Sequence, residues 1–155
     1  MTNRYIYPAP STAAIAGHPL HPASIPFPIA FLVGALATDL VYWITRVDFW
    51  ARFSVWLIGA GVAMGIVAAI LGLIDFFTVE RARQHKAGWI HFIGNLVAMI
   101  VATISLGIRW GDPIAAVLPL GLILSVITGG ALAVTGWFGG ELVFRHLIGV
   151  SGPGK

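Results

Sequence analysis

The sequence predicts an all-α, polytopic membrane protein folded as a four-helix bundle. Of the 155 residues, 58% are hydrophobic and only 10% are charged, whereas a soluble domain carries about 25% charged residues. Four separate stretches also reach the roughly 20 apolar residues that a membrane-spanning helix needs. This composition excludes a soluble enzyme and a disordered regulator, and the net charge of +3 is too small for the dense basic patch of a nucleic-acid-binding protein.

The predicted spans cover about residues 23–45, 53–74, 89–108 and 114–138, and the apolar run after Glu141 offers an extension of the last span to 144. Asp112 and Pro113 suit the cap and the first residue of the fourth helix. Residues 1–22 contain four prolines and lack the apolar core of a signal peptide, so we expect an irregular segment there. The connectors are too short for an extramembrane domain, which predicts one membrane domain over residues 1–155, and no internal repeat is evident.

Four spans place both termini on the same side of the membrane. That side carries six basic residues and the opposite side carries three; the six are Arg4, Arg81, Arg83, Lys86, Arg145 and Lys155. Because cytoplasmic loops are enriched in Lys and Arg, we expect both termini in the cytoplasm and a multi-pass protein of the cytoplasmic membrane.

Histidine is the residue type on which a cofactor site would depend. The chain has no cysteine, which excludes thiolate ligands and covalently attached haem. All five histidines lie toward the end of the bundle that holds the termini, and neutral imidazole ligates both haem iron and metal ions. His18, His21, His91 and His146 are therefore the candidate ligands of haem b or of a divalent metal, whereas His85 lies in a charged loop.

Several polar residues could support such a site. Asn95 follows His91 by one helical turn, so both share one face, which should point into the bundle. Asp75 could orient a ligating histidine, or it could pair with Arg81 or a neighbouring arginine. Arg81 and Arg145 could hold haem propionates. The alternative for each of these residues is an ordinary position at the membrane interface.

Asp39 lies 18 residues after His21, which is about 27 Å along a helix. It is therefore expected near the opposite end of the bundle. We expect an interfacial ion pair with Arg46 or Arg52 there, with a proton-relay role as the alternative.

Three blocks of residues resemble the DUF2231 family of bacterial four-helix membrane proteins. The first is His18-Pro-Leu-His-Pro with the following Phe-Pro-Ile and Asp39. The second is Gly72-Leu-Ile-Asp75 with His91 and Asn95, and the third is Gly139-Gly-Glu-Leu-Val-Phe-Arg-His146. The resemblance implies a four-helix membrane domain, and we expect this domain in a bacterial cytoplasmic (inner) membrane. Some relatives are joined to Rieske-type iron–sulfur domains, which implies a role near electron transfer.

These observations predict a b-type cytochrome-like electron-transfer protein whose haem lies near one membrane face. Its expected partners are the lipid bilayer, quinone and a redox protein. One alternative is a structural or assembly subunit of a larger respiratory or photosynthetic complex, without a cofactor of its own. Another is a His/carboxylate metal site for transport or sensing. Small residues spaced by four, such as Gly61 and Gly65, fit packing within the bundle or a homo-oligomer.

Overall fold

The structure is a computed structural model that describes residues 7–150, and it confirms an all-α bundle with four candidate membrane spans. The elements are a two-stranded hairpin (β1, Ala14–Ile15; β2, His18–Pro19), α1 (Leu20–Ser24), α2 (Pro26–Thr45), α3 (Asp48–Thr78), α4 (Glu80–Gln84), α5 (Lys86–Arg109), α6 (Pro113–Ala116), a π-helical turn (Val117–Gly121) and α7 (Leu122–Phe144). The spans are α1 with α2, α3, α5, and α6 through α7.

Local sequence signals account for several helix ends. Pro26 lies in the first turn of α2, where its missing N–H removes no helical hydrogen bond. Arg46 ends α2 in a left-handed conformation, with φ of 56°. The Asp112 carboxylate caps α6 by accepting hydrogen bonds from the backbone N–H groups of Ile114 and Ala115, both at 3.1 Å.

The helices pack as two antiparallel pairs. Helix α2 lies along α3, and α5 lies along α7. The pairs meet through a thin core that includes Leu32, Ala35, Ile58 and Ala102. Many large apolar side chains face outward instead. Because a soluble protein would bury such residues, their exposure fits helices surrounded by lipid.

The two ends of the described chain meet at one end of the bundle. The Ala9 N–H donates to the Leu147 carbonyl at 2.9 Å, and the Gly149 N–H donates to the Ala9 carbonyl at 2.7 Å. Within the stretch expected to be irregular, the chain forms the β1–β2 hairpin and begins α1 at Leu20. His21 thereby becomes a helical residue, whereas its cytoplasmic location stays a prediction.

Candidate functional site

The rings of His21 and His91 come together between the two helix pairs. His21 lies on α1 and His91 lies on α5. Their ring centres are 6.2 Å apart, and the ring planes cross at 84°. Of the four histidines that the sequence singled out, these are the two that the structure places in ring contact with each other.

Each of these rings is held by a backbone carbonyl on the neighbouring helix. His21 Nδ1 lies 2.8 Å from the carbonyl oxygen of Ala68, and His91 Nδ1 lies 2.8 Å from that of Thr135. A carbonyl oxygen can only accept, so in both contacts Nδ1 carries the proton and donates it. In a neutral imidazole the lone pair is then on Nε2, which is the ring's available ligand atom.

Each ring also lies against a glycine, one helical turn after the carbonyl that it bonds. A Cβ on Gly72 would be 2.7 Å from His21 Cε1, and a Cβ on Gly139 would be 2.9 Å from His91 Cε1. Contacts that short would displace the rings. Glycine is therefore needed at both positions for the imidazoles to approach the helix backbone so closely.

Asn95 and Thr135 add a second layer around His91. Asn95 Nδ2 donates to the His91 carbonyl at 2.7 Å, and Thr135 Oγ1 donates to Asn95 Oδ1 at 3.2 Å. Thr135 thus contacts His91 through its backbone and Asn95 through its hydroxyl. The expected inward position of the His91–Asn95 pair agrees with these contacts.

The two spans that carry His21 and His91 meet again at the opposite end of the bundle. Asp39 lies 18 residues after His21, and Arg109 lies 18 residues after His91. Eighteen residues make about five turns of α-helix, so each charged residue lies on the same face as its histidine. The same 18-residue spacing from a histidine to a charged residue therefore occurs in the first and the third span, although no sequence repeat is evident.

Asp39 and Arg109 form a buried bidentate ion pair. Arg109 Nη1 and Nη2 donate to the two carboxylate oxygens of Asp39, each at 2.7 Å, and both side chains are 0% exposed. Ser54 Oγ accepts from Arg109 at 2.9 Å, and Ser125 Oγ donates to Asp39 at 2.6 Å. The prediction that Asp39 pairs with Arg46 or Arg52 was wrong. Arg109 instead reaches inward from the end of α5 and neutralises the carboxylate within the bundle.

Two other predicted site residues make separate contacts. His18 is exposed in the hairpin, with Nδ1 3.0 Å from the carbonyl oxygen of Ala16. The Asp75 carboxylate accepts hydrogen bonds from the N-terminal segment, including Ser11 Oγ at 2.7 Å and the backbone N–H of Thr12 and Ala13 at 2.9 Å. In this arrangement Asp75 fastens the N-terminal segment to α3.

His146, Arg81 and Arg145 belong to a cluster outside the spans. The His146 ring stacks on His85, with centres 3.7 Å apart, and Arg81 donates to the carbonyl oxygens of Tyr7 and His146. Arg145 is largely exposed, 3.9 Å from Glu141. Partial burial lowers the pKa of His85, and the charges of His146 and Arg81 lower it further against the opposing effect of Glu141.

Multidentate metal sites need several ligands at one place. Within residues 7–150, no group of three or more His, Cys, Asp or Glu side chains is arranged to hold a metal ion. The His21–His91 pair thus has no third His, Cys, Asp or Glu side chain beside it, within the described residues, that would complete a metal site.

Comparison with known proteins agrees with the resemblance seen in the sequence. No curated protein and no solved structure matches the chain. A family model described as "Predicted membrane protein (DUF2231)" matches residues 17–152. That range includes both histidines of the pair and both members of the buried ion pair. The chain therefore belongs to the DUF2231 family of predicted membrane proteins.

Proposed function

We propose that the chain binds haem b between His21 and His91 and acts as an electron-transfer protein in the membrane. The observation that carries the proposal is the 6.2 Å separation of the two ring centres. A ligating imidazole nitrogen lies about 2 Å from its metal and the ring centre roughly 1 Å further, so two imidazoles on opposite faces of one iron have centres about 6 Å apart.

The hydrogen bonds of the two rings support the same proposal. Ligating histidines usually donate their other ring N–H to a carbonyl or a carboxylate, which fixes the tautomer and makes the ligand more basic. Here the carbonyls of Ala68 and Thr135 accept the Nδ1–H hydrogen bonds of His21 and His91, respectively. Both rings are thus set with the Nε2 lone pair available for iron.

The number of protein ligands favours haem over a free metal ion. A porphyrin supplies the equatorial nitrogens itself, so two histidines complete its iron. Zinc sites instead take three or four ligands from the protein. The absence of a three-residue ligand group within residues 7–150 gives the metal-site alternative no support from this structure.

Bound haem would supply one-electron redox chemistry, and the chain's own residues would position it and keep water away. His21 lies in the first turn of its helix and His91 in the second turn of α5. The pair is therefore near the end of the bundle where the termini meet. We propose that a quinone or a redox protein exchanges electrons on that side, with propionate contacts from Arg81 or Arg145.

The test is a reduced-minus-oxidised absorption spectrum of the full chain, purified in mild detergent after expression with ample haem. We expect a sharp α band and a shifted Soret band. Replacement of His21 or His91 by Ala should remove most of the bound haem. His18→Ala and His146→Ala serve as matched controls and should retain it.

A flat spectrum of the wild-type protein would contradict the proposal and favour a cofactor-free subunit of a larger complex. Full haem retention in both His21→Ala and His91→Ala would also contradict it, because haem would then be bound elsewhere.

A further inference from the structure

A small cavity lies beside the buried ion pair, toward the middle of the bundle. Its volume is about 10 Å³. Apolar side chains such as Ile58 and Ala102 form part of its wall, and three hydroxyl-bearing residues complete it: Ser105, Ser125 and Thr128. A cavity with only apolar groups in its wall stays dry, whereas the three hydroxyl-bearing residues of this wall offer polar partners to a water molecule.

Ser105 supplies the strongest indication. Its side chain is 2% exposed, and its Oγ has no hydrogen-bond partner among the atoms of the described residues. A buried hydroxyl without a partner loses the hydrogen bonds that it makes to water in the unfolded chain. Such groups are rare in native proteins and are commonly satisfied by an ordered water molecule.

The two other hydroxyls have complementary capacity. Ser125 Oγ donates its proton to Asp39 Oδ2 at 2.6 Å and accepts from Arg109 Nη2 at 3.2 Å. Thr128 Oγ1 donates to the carbonyl oxygen of Leu124 at 2.9 Å. A hydroxyl oxygen has two lone pairs. Both residues have therefore used their donors and can still accept a hydrogen bond.

We propose that this cavity is a binding site for a single internal water molecule. Ser105 Oγ donates to the water, and the water donates to the oxygens of Ser125 and Thr128. A site of this kind needs two to four polar partners and a cavity of roughly 10–15 Å³ or more. With three hydroxyl-bearing residues and about 10 Å³, the cavity is at the lower limit for one water molecule and is too small for a larger ligand.

The water extends the hydrogen-bond network of the ion pair toward the bundle centre. Ser125 contacts both Asp39 and Arg109, so a water bound to Ser125 adds a dipole next to the two charges. Charges inside a membrane are costly unless polar groups surround them. The cavity lies in the half of the bundle remote from the histidines, so its water does not depend on haem binding.

The decisive experiment is a structure of the full chain, by crystallography or electron microscopy, at a resolution that reveals ordered water. We expect a density peak in the cavity about 2.7–3.0 Å from Ser105 Oγ. A different result would overturn the proposal: Ser105 Oγ donating to the carbonyl oxygen of Val101, four residues earlier, beside an empty cavity. Hydroxyls in helices can make that alternative bond.

Two variants sharpen the test. In Ser105→Ala the water loses its donor, and the peak should weaken or vanish. Ser54→Ala is the matched control, because Ser54 is also buried and hydrogen-bonds Arg109 but does not line the cavity. The water peak should persist in this variant. A peak of equal strength in wild type and Ser105→Ala would contradict the assigned partners.

Discussion

The bundle joins the same helical segments at two places, and the two contacts differ in what they leave available for chemistry. At one end, Asp39 and Arg109 neutralise each other, both side chains are sealed from solvent, and both carboxylate oxygens are bonded. At the other end, His21 and His91 are each fixed through Nδ1, so that the Nε2 lone pairs remain. The difference teaches that the two charges of the ion pair are used up on each other, whereas each histidine keeps one ring nitrogen for the ligand that we propose.

The largest effect is expected from breaking the ion pair. Asp39→Asn leaves the Arg109 guanidinium buried without a counter-charge, because both side chains are 0% exposed. Removal of one partner from a buried pair costs about 3–5 kcal/mol. We expect the free energy of unfolding to fall by that amount, measured by thermal or denaturant unfolding in detergent.

The double variant Asp39→Asn/Arg109→Gln is the control for this prediction. It removes both charges, so it should recover a large part of the loss caused by Asp39→Asn. If the loss of unfolding free energy in the double variant equals the sum of the losses in Asp39→Asn and Arg109→Gln, the ion pair is not the source of the effect.

The second prediction concerns the glycines beneath the imidazoles. In Gly139→Ala the new Cβ would lie 2.9 Å from two atoms of the His91 ring, so the ring must move. Such overpacking costs about 1–3 kcal/mol, and the displaced ring should bind haem more weakly. Haem content and the unfolding midpoint check both effects.

Gly136→Ala is the matched control on the same helix, because no atom outside its helical neighbourhood lies within 4 Å of a Cβ there. We expect this variant to retain haem and wild-type stability. Equal behaviour of the Gly136 and Gly139 variants would refute the role assigned to the close approach of His91.

A smaller effect is expected from the side chain of Thr135. Thr135→Val removes the hydroxyl that donates to Asn95 but leaves the carbonyl that accepts from His91. The loss should be about 1 kcal/mol of unfolding free energy, with haem still bound. Thr103→Val, whose hydroxyl bonds only its own helix at the exposed Met99 carbonyl, should change stability less. Loss of haem in Thr135→Val would show that the carbonyl contact does not suffice.

The smallest effect is a dependence of stability on pH from His85. Its pKa is lowered in the folded protein, so the unfolded chain takes up this proton first as the pH falls. The contribution of His85 to stability is complete above about pH 6.5 and is lost as the pH falls from there through the folded-state pKa. In His85→Gln the unfolding midpoint should decline less over this window. An identical decline would assign the pH dependence to other groups.

Much of the fold follows from the sequence because hydrophobic length is sufficient to locate membrane helices. The inward position of His91 and Asn95 also follows, since a polar pair one turn apart in an apolar helix must avoid lipid. His21 was harder to place. Pro19 and Pro22 obscure the helix start, although a proline in the first turn is compatible with a helix.

Contacts between distant segments could not be predicted in the same way. Arg109 resembles a loop charge because it ends an apolar stretch. Only its spacing points to its partner, since Arg109 follows His91 by 18 residues, just as Asp39 follows its own histidine by 18 residues. The bonds of Asp75 to residues 11–13 and the stacking of His146 on His85 depend on how the N-terminal segment and the loops fold back. One sequence carries no signal for such contacts.

The most direct test of the account is a titration of the haem-free full chain with haemin in detergent, followed by Soret absorbance. We expect saturation at one haemin per chain, with the spectrum of a low-spin haem ligated by two histidines. The double variant His21→Ala/His91→Ala should show no saturable change. A wild-type titration without saturation, or the same saturable binding in the double variant, would contradict a haem site between these two histidines.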